Sequence, residues 1–301
     1  MPPFGMSPST QPTANNPTPS LADRVPPHAF FLVSAVFHYL GPSFAVLLFA
    51  RIAPSGVAWL RIASAGLVFA LWRRPWRFLA ALPRRDQIVV AALGIVLAVM
   101  NVAFYEAIAR LPLATVGAIE FLGPILVAAA GARTWRNAAA LFLAVAGVYV
   151  LTDVRIVSET LGYVFAFANC VLFVLYILLG HRIASSGGGT SGIDRLGAAM
   201  LIASVAALPI GIRSALPAFT NPVLLAAAVG VGVSSSVIPY VCDQLAMSRL
   251  PRATFALLLS LLPATATAIG FLVLGQVPTT AELLGIALVI GGVALHRAAS
   301  E

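Results

Sequence analysis

Charge is what this chain has least of. Only 9% of its 301 residues are Asp, Glu, Lys or Arg, against about 25% in an ordinary soluble domain. Hydrophobic residues make up 60%, and the mean hydropathy is +0.98. This scarcity excludes a soluble globular domain and implies a polytopic membrane protein with little mass outside the bilayer. Lysine is missing altogether, so the net charge of +8 rests on 18 arginines. They lie in short loops between apolar runs, which points to membrane topology and not to a nucleic-acid partner. Cysteine is nearly absent. Cys170 and Cys242 both sit inside apolar stretches, without a disulfide framework or metal-ligand spacing, and read as small core residues. No metal and no cofactor is expected. His-Glu-x-x-His, Gly-x-Ser-x-Gly and a phosphate-binding glycine loop are all lacking, so no catalytic residue is assigned.

What is present is a series of long apolar runs. Residues 1–28 are rich in Pro, Ser, Thr and Asn and are expected to form a disordered tail. No cleavable signal is expected, because the first apolar run is a full-length span. A hydrocarbon core of about 30 Å takes about 20 helical residues. On that measure the chain divides into spans near 29–50, 55–72, 87–107, 112–131, 136–152, 160–180, 193–213, 221–244, 251–274 and 280–297. The expected fold is therefore an all-α polytopic membrane protein of ten transmembrane helices. With the N-terminus in the cytoplasm, thirteen arginines fall inside and four outside, which places both termini on the cytoplasmic side.

The chain also repeats itself. Ala107, Arg110, Leu111, Pro112, Ala114, Thr115 and Pro124 match Ala246, Arg249, Leu250, Pro251, Ala253, Thr254 and Pro263 at a constant offset of 139. Five spans separate the copies. An odd number of helices per unit sends the second unit into the membrane from the opposite side, the inverted-topology arrangement that transporters use around a site between the halves. The units are expected at 29–152 and 160–297. Small residues at helical spacing, Ala140 and Ala144, Ala199 and Ala203, Ala287 and Gly291, are expected to form close-packing faces.

Against this apolar background the intramembrane polar residues are the candidate site. At 1.5 Å per residue, Arg61, Asn101 and Glu120 lie roughly 9, 9 and 12 Å below the outer ends of their spans. A shared level is consistent with a common cavity, and an Arg and a Glu there neutralise each other far more cheaply than either is buried alone. Such a pair suits a zwitterion, with Arg61 for a carboxylate and Glu120 for an ammonium; it equally suits a fixed ion pair between two helices. His38 is either a proton carrier or a hydrogen-bonded core group. Tyr105 and Tyr240, with Tyr163 and Tyr176, either line the cavity or pack. Ser234, Ser235 and Ser236, ahead of Pro239, either offer hydroxyls to a ligand or bond back to their own helix. Glu106 and Asp243 read as solvated helix ends. In the second unit Glu120 maps to Leu259 and Asn101 to Tyr240, so charged recognition is expected mainly on the first half.

These segments resemble the EamA family of the drug/metabolite transporter superfamily, and within it the bacterial threonine/homoserine exporter group. The resemblance is carried by Met100-Asn101 with Phe104-Tyr105, Leu111-Pro112-Leu113, Glu120-Phe121 with Gly123-Pro124, Tyr176-Ile177-Leu178 with Gly180 and Arg182, Pro239-Tyr240, Arg249-Leu250-Pro251 with Thr254-Phe255, and Leu274-Gly275. It spans roughly 29–297. It implies two five-helix EamA units in the bacterial inner membrane, exporting small amino acids or related metabolites by proton exchange. The implied partners are a small-molecule substrate, a proton and the lipid bilayer, with a homodimer left open. Two positions depart from the family pattern: Leu262 stands where a Glu is common, and Gln276 where an acidic residue is usual. The competing readings are an intramembrane enzyme acting on a lipid-linked substrate and a membrane scaffold; neither explains an Arg, an Asn and a Glu at one depth.

Overall fold

A computed structural model describes residues 25–131, 134–153, 159–185, 189–247, 249–250 and 261–295. Among these residues the chain is helical throughout, with no strand. The helices are α1 (Pro27–Leu48), α2 (Pro54–Arg73), the short α3 (Pro75–Ala81), α4 (Arg84–Ile108), α5 (Leu113–Gly131), α6 (Trp135–Asp153), α7 (Thr160–Ser185), α8 (Gly189–Phe219), α9 (Pro222–Gly232), a π turn at Val233–Val237, α10 (Ile238–Met247), α11 (Leu261–Leu274) and α12 (Thr280–Leu295). The π turn joins α9 and α10 into one rod. Among the described residues six helices are long and apolar enough to cross a bilayer: α1, α2, α4, α7, α8 and the α9–α10 rod. Three shorter apolar helices lie at Leu113–Gly123, Leu262–Leu274 and Thr280–Gly292. The chain is a polytopic all-helical membrane protein.

Local chemistry sets the helix ends. Pro27, Pro54, Pro75 and Pro222 open their helices in the first turn, where a missing N–H costs nothing. Asn221 caps α9 by accepting from the N–H groups of Val223 and Leu224 at 3.0 and 3.2 Å. Gly275, at φ +63, stops α11 in the left-handed region. The next residue, Gln276, accepts from the Leu113 N–H at 3.1 Å and so caps α5 from a distant part of the chain. The expected tail, 1–28, lies outside the described residues up to residue 24, and Pro27 and His28 belong to α1.

The turn before α5 recurs. Leu111 N–H donates to Ala107 O at 2.8 Å and Arg110 N–H to the same carbonyl at 3.0 Å; Leu250 and Arg249 do so to Ala246 O at 2.8 and 3.1 Å. The rest of the second copy, including Pro251, Ala253, Thr254 and Leu259, lies outside the described residues.

Three pairs of helices lie side by side and run in opposite directions. In α2 and α8, Gly56 meets Ser214, Gly66 meets Met200, and Arg73 pairs with Asp194. In α6 and α12, Arg136 donates to Leu295 O at 2.7 Å while Gly147 meets Gly285. In α5 and α11, Leu113 lies by Gly270 and Gly117 by Ala266. α1 packs on α10 and α11, and α7 on α4 and α5. Close approach of backbones where glycine is the only side chain that fits is the packing mode expected in lipid.

Ala140, Ala144, Ala199 and Ala203 are fully buried at such contacts. The expected face on α12 is corrected. Ala287 and Gly291 point outward, with nothing near Gly291, and it is Gly285, Val289 and Gly292 that meet α6. The helical period was right and the phase was off by about half a turn. The outer surface carries exposed Leu71, Trp72, Phe142, Tyr149 and Leu272, as a lipid-facing belt requires.

Candidate functional site

Arg61 is 4% exposed on α2, the most enclosed of the six long helices. Its Nε donates to Ser236 Oγ at 2.7 Å and its Nη2 to the Ser235 carbonyl at 2.7 Å. Both acceptors belong to the π turn. The guanidinium also lies over the Tyr105 ring, 5.3 Å from the centroid. Ser235 and Ser234 hydroxyls bond back to Val231 O, while the Ser236 hydroxyl accepts from Arg61 and Ser235 also faces the Tyr105 phenol. Gly41 of α1 sits directly on Ser235, with no room for a side chain. Pro42 lies inside an unbroken α1, and the π turn occurs in the serine segment that faces it.

Glu120 is 3% exposed on α5. Asn169 of α7 donates from Nδ2 to Glu120 Oε1 at 3.0 Å. Two glycines frame the carboxylate on the same face, three residues to either side. A Cβ on Gly117 would lie 3.0 Å from Tyr39 Oη; one on Gly123 would lie 3.1 Å from the Cys170 carbonyl. The first opens room for the α1 phenol, the second brings the α7 backbone close. The Tyr39 phenol faces Glu120 within hydrogen-bonding range, and the Tyr105 phenol faces Arg61 and Ser235. Asn169 Oδ1 is buried without a partner among the described residues, an arrangement that costs about 1–3 kcal/mol.

Arg61 and Glu120 do not form a direct ion pair. They are within electrostatic reach of one another, each held by its own neutral partners. The fixed ion pair weighed from the sequence is therefore not the arrangement adopted, and Arg61 is held by the π turn with the Tyr105 phenol beside it. His38 is half-buried, its ring edge against Tyr39 at 5.3 Å, and feels Arg61 through space. Asn101, 2% exposed, donates to Leu97 O at 2.7 Å. Tyr240, 2% exposed, faces the Asn101 amide, is within reach of Arg61 and Glu120, and packs on Tyr176 at 5.7 Å. Tyr163 is a further buried phenol, on α7. The six residues singled out from the sequence thus surround one polar cluster.

The two acids read as solvated ends differ from that description. Glu106 pairs with Arg110 at 2.6 Å, one turn away. Asp243 is half-buried, beside Ser34 of α1. Cys170 is buried and Cys242 half-buried, and both are free thiols. Leu262, 5% exposed, packs in the core. Two residues of the cluster were not found from the sequence as site residues: Asn169 and Tyr39. The signal for Asn169 was an amide flanked on both sides by apolar residues inside span six. Tyr39 carried none beyond its neighbour His38.

Comparison with known proteins adds the following. Residues 160–297 match the model of the EamA-like transporter family. The threonine/homoserine exporter RhtA of Escherichia coli (strain K12) is 31% identical over 268 residues, 88% of each chain. That of Salmonella typhimurium (strain LT2) is 32% identical over 254 residues, 83% of this chain and 84% of the relative. A crystal structure of a protein 20% identical in sequence superposes with a TM-score of 0.58, covering 89% of this chain and 96% of that one, and shares the fold.

Proposed function

Because the chain belongs to the EamA-like transporter family, we propose that it exports small amino acids of the threonine and homoserine class across the inner membrane in exchange for protons. It is a multi-pass membrane transporter and not an enzyme; lipid-linked enzyme chemistry draws no support from its relatives. The proposed architecture is ten helices in two five-helix units, 29–152 and 160–297, threaded oppositely, with both termini cytoplasmic. Three findings support the inversion: the antiparallel packing of α2 on α8, α5 on α11 and α6 on α12, the exchange of first helices between halves, and the repeated Leu-Pro turn.

The observation that carries the functional reading is a buried Arg and a buried Glu within electrostatic reach but not spent on one another. Arg61 is anchored by the π turn and Glu120 by Asn169, each through neutral partners. A zwitterionic amino acid meets both, its carboxylate on Arg61 and its ammonium on Glu120. Substrate ammonium and proton compete for the same carboxylate, so loading one expels the other, and the carboxylate returns across the membrane neutralised either way. That competition is the whole requirement for antiport. His38, Asn101, Tyr105 and Tyr240 complete the polar wall.

The test is homoserine efflux from loaded proteoliposomes under an imposed pH gradient. Wild type is expected to accelerate when the acceptor side is acidified. Glu120→Gln is expected to abolish that response while eluting as a folded protein in detergent. A response that survives the substitution removes Glu120 from coupling.

A further inference from the structure

Within that reading of the site, three acceptor oxygens around Glu120 specify more than a positive charge. Glu120 Oε2, Asn169 Oδ1 and Tyr39 Oη come from α5, α7 and α1 and are all buried; Asn169 Oδ1 has no partner among the described residues, and the Tyr39 phenol faces Glu120. Asn169 is locked in orientation because its Nδ2 is already spent on Glu120 Oε1. Tyr39 is held over Gly117, where any larger residue would push the phenol away. A carboxylate only accepts, an amide oxygen only accepts, and a phenol oxygen accepts readily. With the Tyr39 O–H turned toward Glu120, lone pairs on all three groups remain, and a guest that uses them together is a cation that donates in several directions. A primary ammonium carries three N–H donors on one charged centre.

We propose that Tyr39 and Asn169 are specificity residues, which with Glu120 form a three-acceptor cradle for a primary ammonium and reject cations without N–H donors. This rests on the assignment of Glu120 to substrate binding. It adds a discrimination that a lone carboxylate would not give: a carboxylate alone holds any cation of the right size, whereas the cradle leaves its neutral acceptors unpaired when the guest cannot donate. Sites built to hydrogen-bond a group reject analogues lacking it far more strongly than charge alone does.

The probes are L-homoserine and its N-trimethylated betaine, which keeps the charge and the carboxylate but has no N–H. Efflux of each is measured from proteoliposomes holding wild type, Tyr39→Phe or Asn169→Leu. Wild type is expected to prefer homoserine at least tenfold. Each variant is expected to lose about tenfold on homoserine, as befits one hydrogen bond to a charged group, and to move the betaine little, so the preference collapses. Melting temperatures in detergent are measured beside efflux, and a variant that melts with wild type yet loses the preference separates a recognition defect from a folding defect. Wild-type efflux of both compounds at similar rates, or variants that keep the preference, overturns the cradle and leaves the exporter assignment standing. No homoserine efflux from wild type overturns the exporter assignment and the cradle with it.

Discussion

Glu120 owes its setting to Gly117 and Gly123, one helical turn away on either side. Neither adopts an unusual backbone; each is needed because another helix passes where a side chain would be. Gly123→Val would drive methyl groups into Val174 and the Cys170 carbonyl, wedging α5 off α7 and pulling Asn169 from the carboxylate. The expected cost is about 1–3 kcal/mol, the usual penalty for overpacking. Gly230 has open space around it and is exposed; Gly230→Ala in the same assay should be neutral or stabilising by up to about 1 kcal/mol, since it removes only backbone freedom. Thermal unfolding in detergent distinguishes the two. Equal effects at both positions would mean that the close approach at Gly123 does not constrain the bundle. Arg61 makes the complementary point. Its charge is tolerated because a π turn turns a carbonyl and a hydroxyl toward it and an aromatic face covers it, not because an acid neutralises it directly.

At the scale of the helices, much was legible before any coordinates, because apolar length is dictated by the bilayer. The expected spans coincide with α1, α2, α4 to α8 and the α9–α10 rod to within a few residues at most ends, and the described part of α11 falls within the ninth. Counting 1.5 Å per residue put Arg61, Asn101 and Glu120 at similar distances from the ends of their spans. Azimuth was not legible. An almost uniformly apolar helix gives little angular signal, so Ala287 and Gly291 were assigned to a face that points outward. For the same reason Tyr39 and Asn169 could not be aimed at Glu120 from sequence. Gln276 shows a third limit, since its role depends on a contact 163 residues away. Where an acid is usual, this amide still supplies an acceptor to the first turn of α5. Gln276→Leu should therefore cost about 1 kcal/mol, as loss of a helix cap does, and Gln276→Glu should be tolerated. Chemical unfolding in detergent compares them; a Leu variant as stable as wild type would deny the cap a role.

For the whole molecule, the two proposed units would share a scaffold without sharing a site. Glu120 and Arg61 lie in 29–152, whereas 160–297 supplies Asn169, the π turn and Tyr240. In the proposed inverted arrangement the polar cluster spans both units, and a rocking motion would open it to either side in turn. A position in that cluster should behave accordingly. In a chain freed of Cys170 and Cys242, Asn101→Cys is treated with a small membrane-impermeant thiol reagent, first on intact cells and then on inverted vesicles. The account predicts modification from both faces, slowed at each by saturating homoserine. A thiol that reacts from neither face, or that reacts without regard to homoserine, would contradict it.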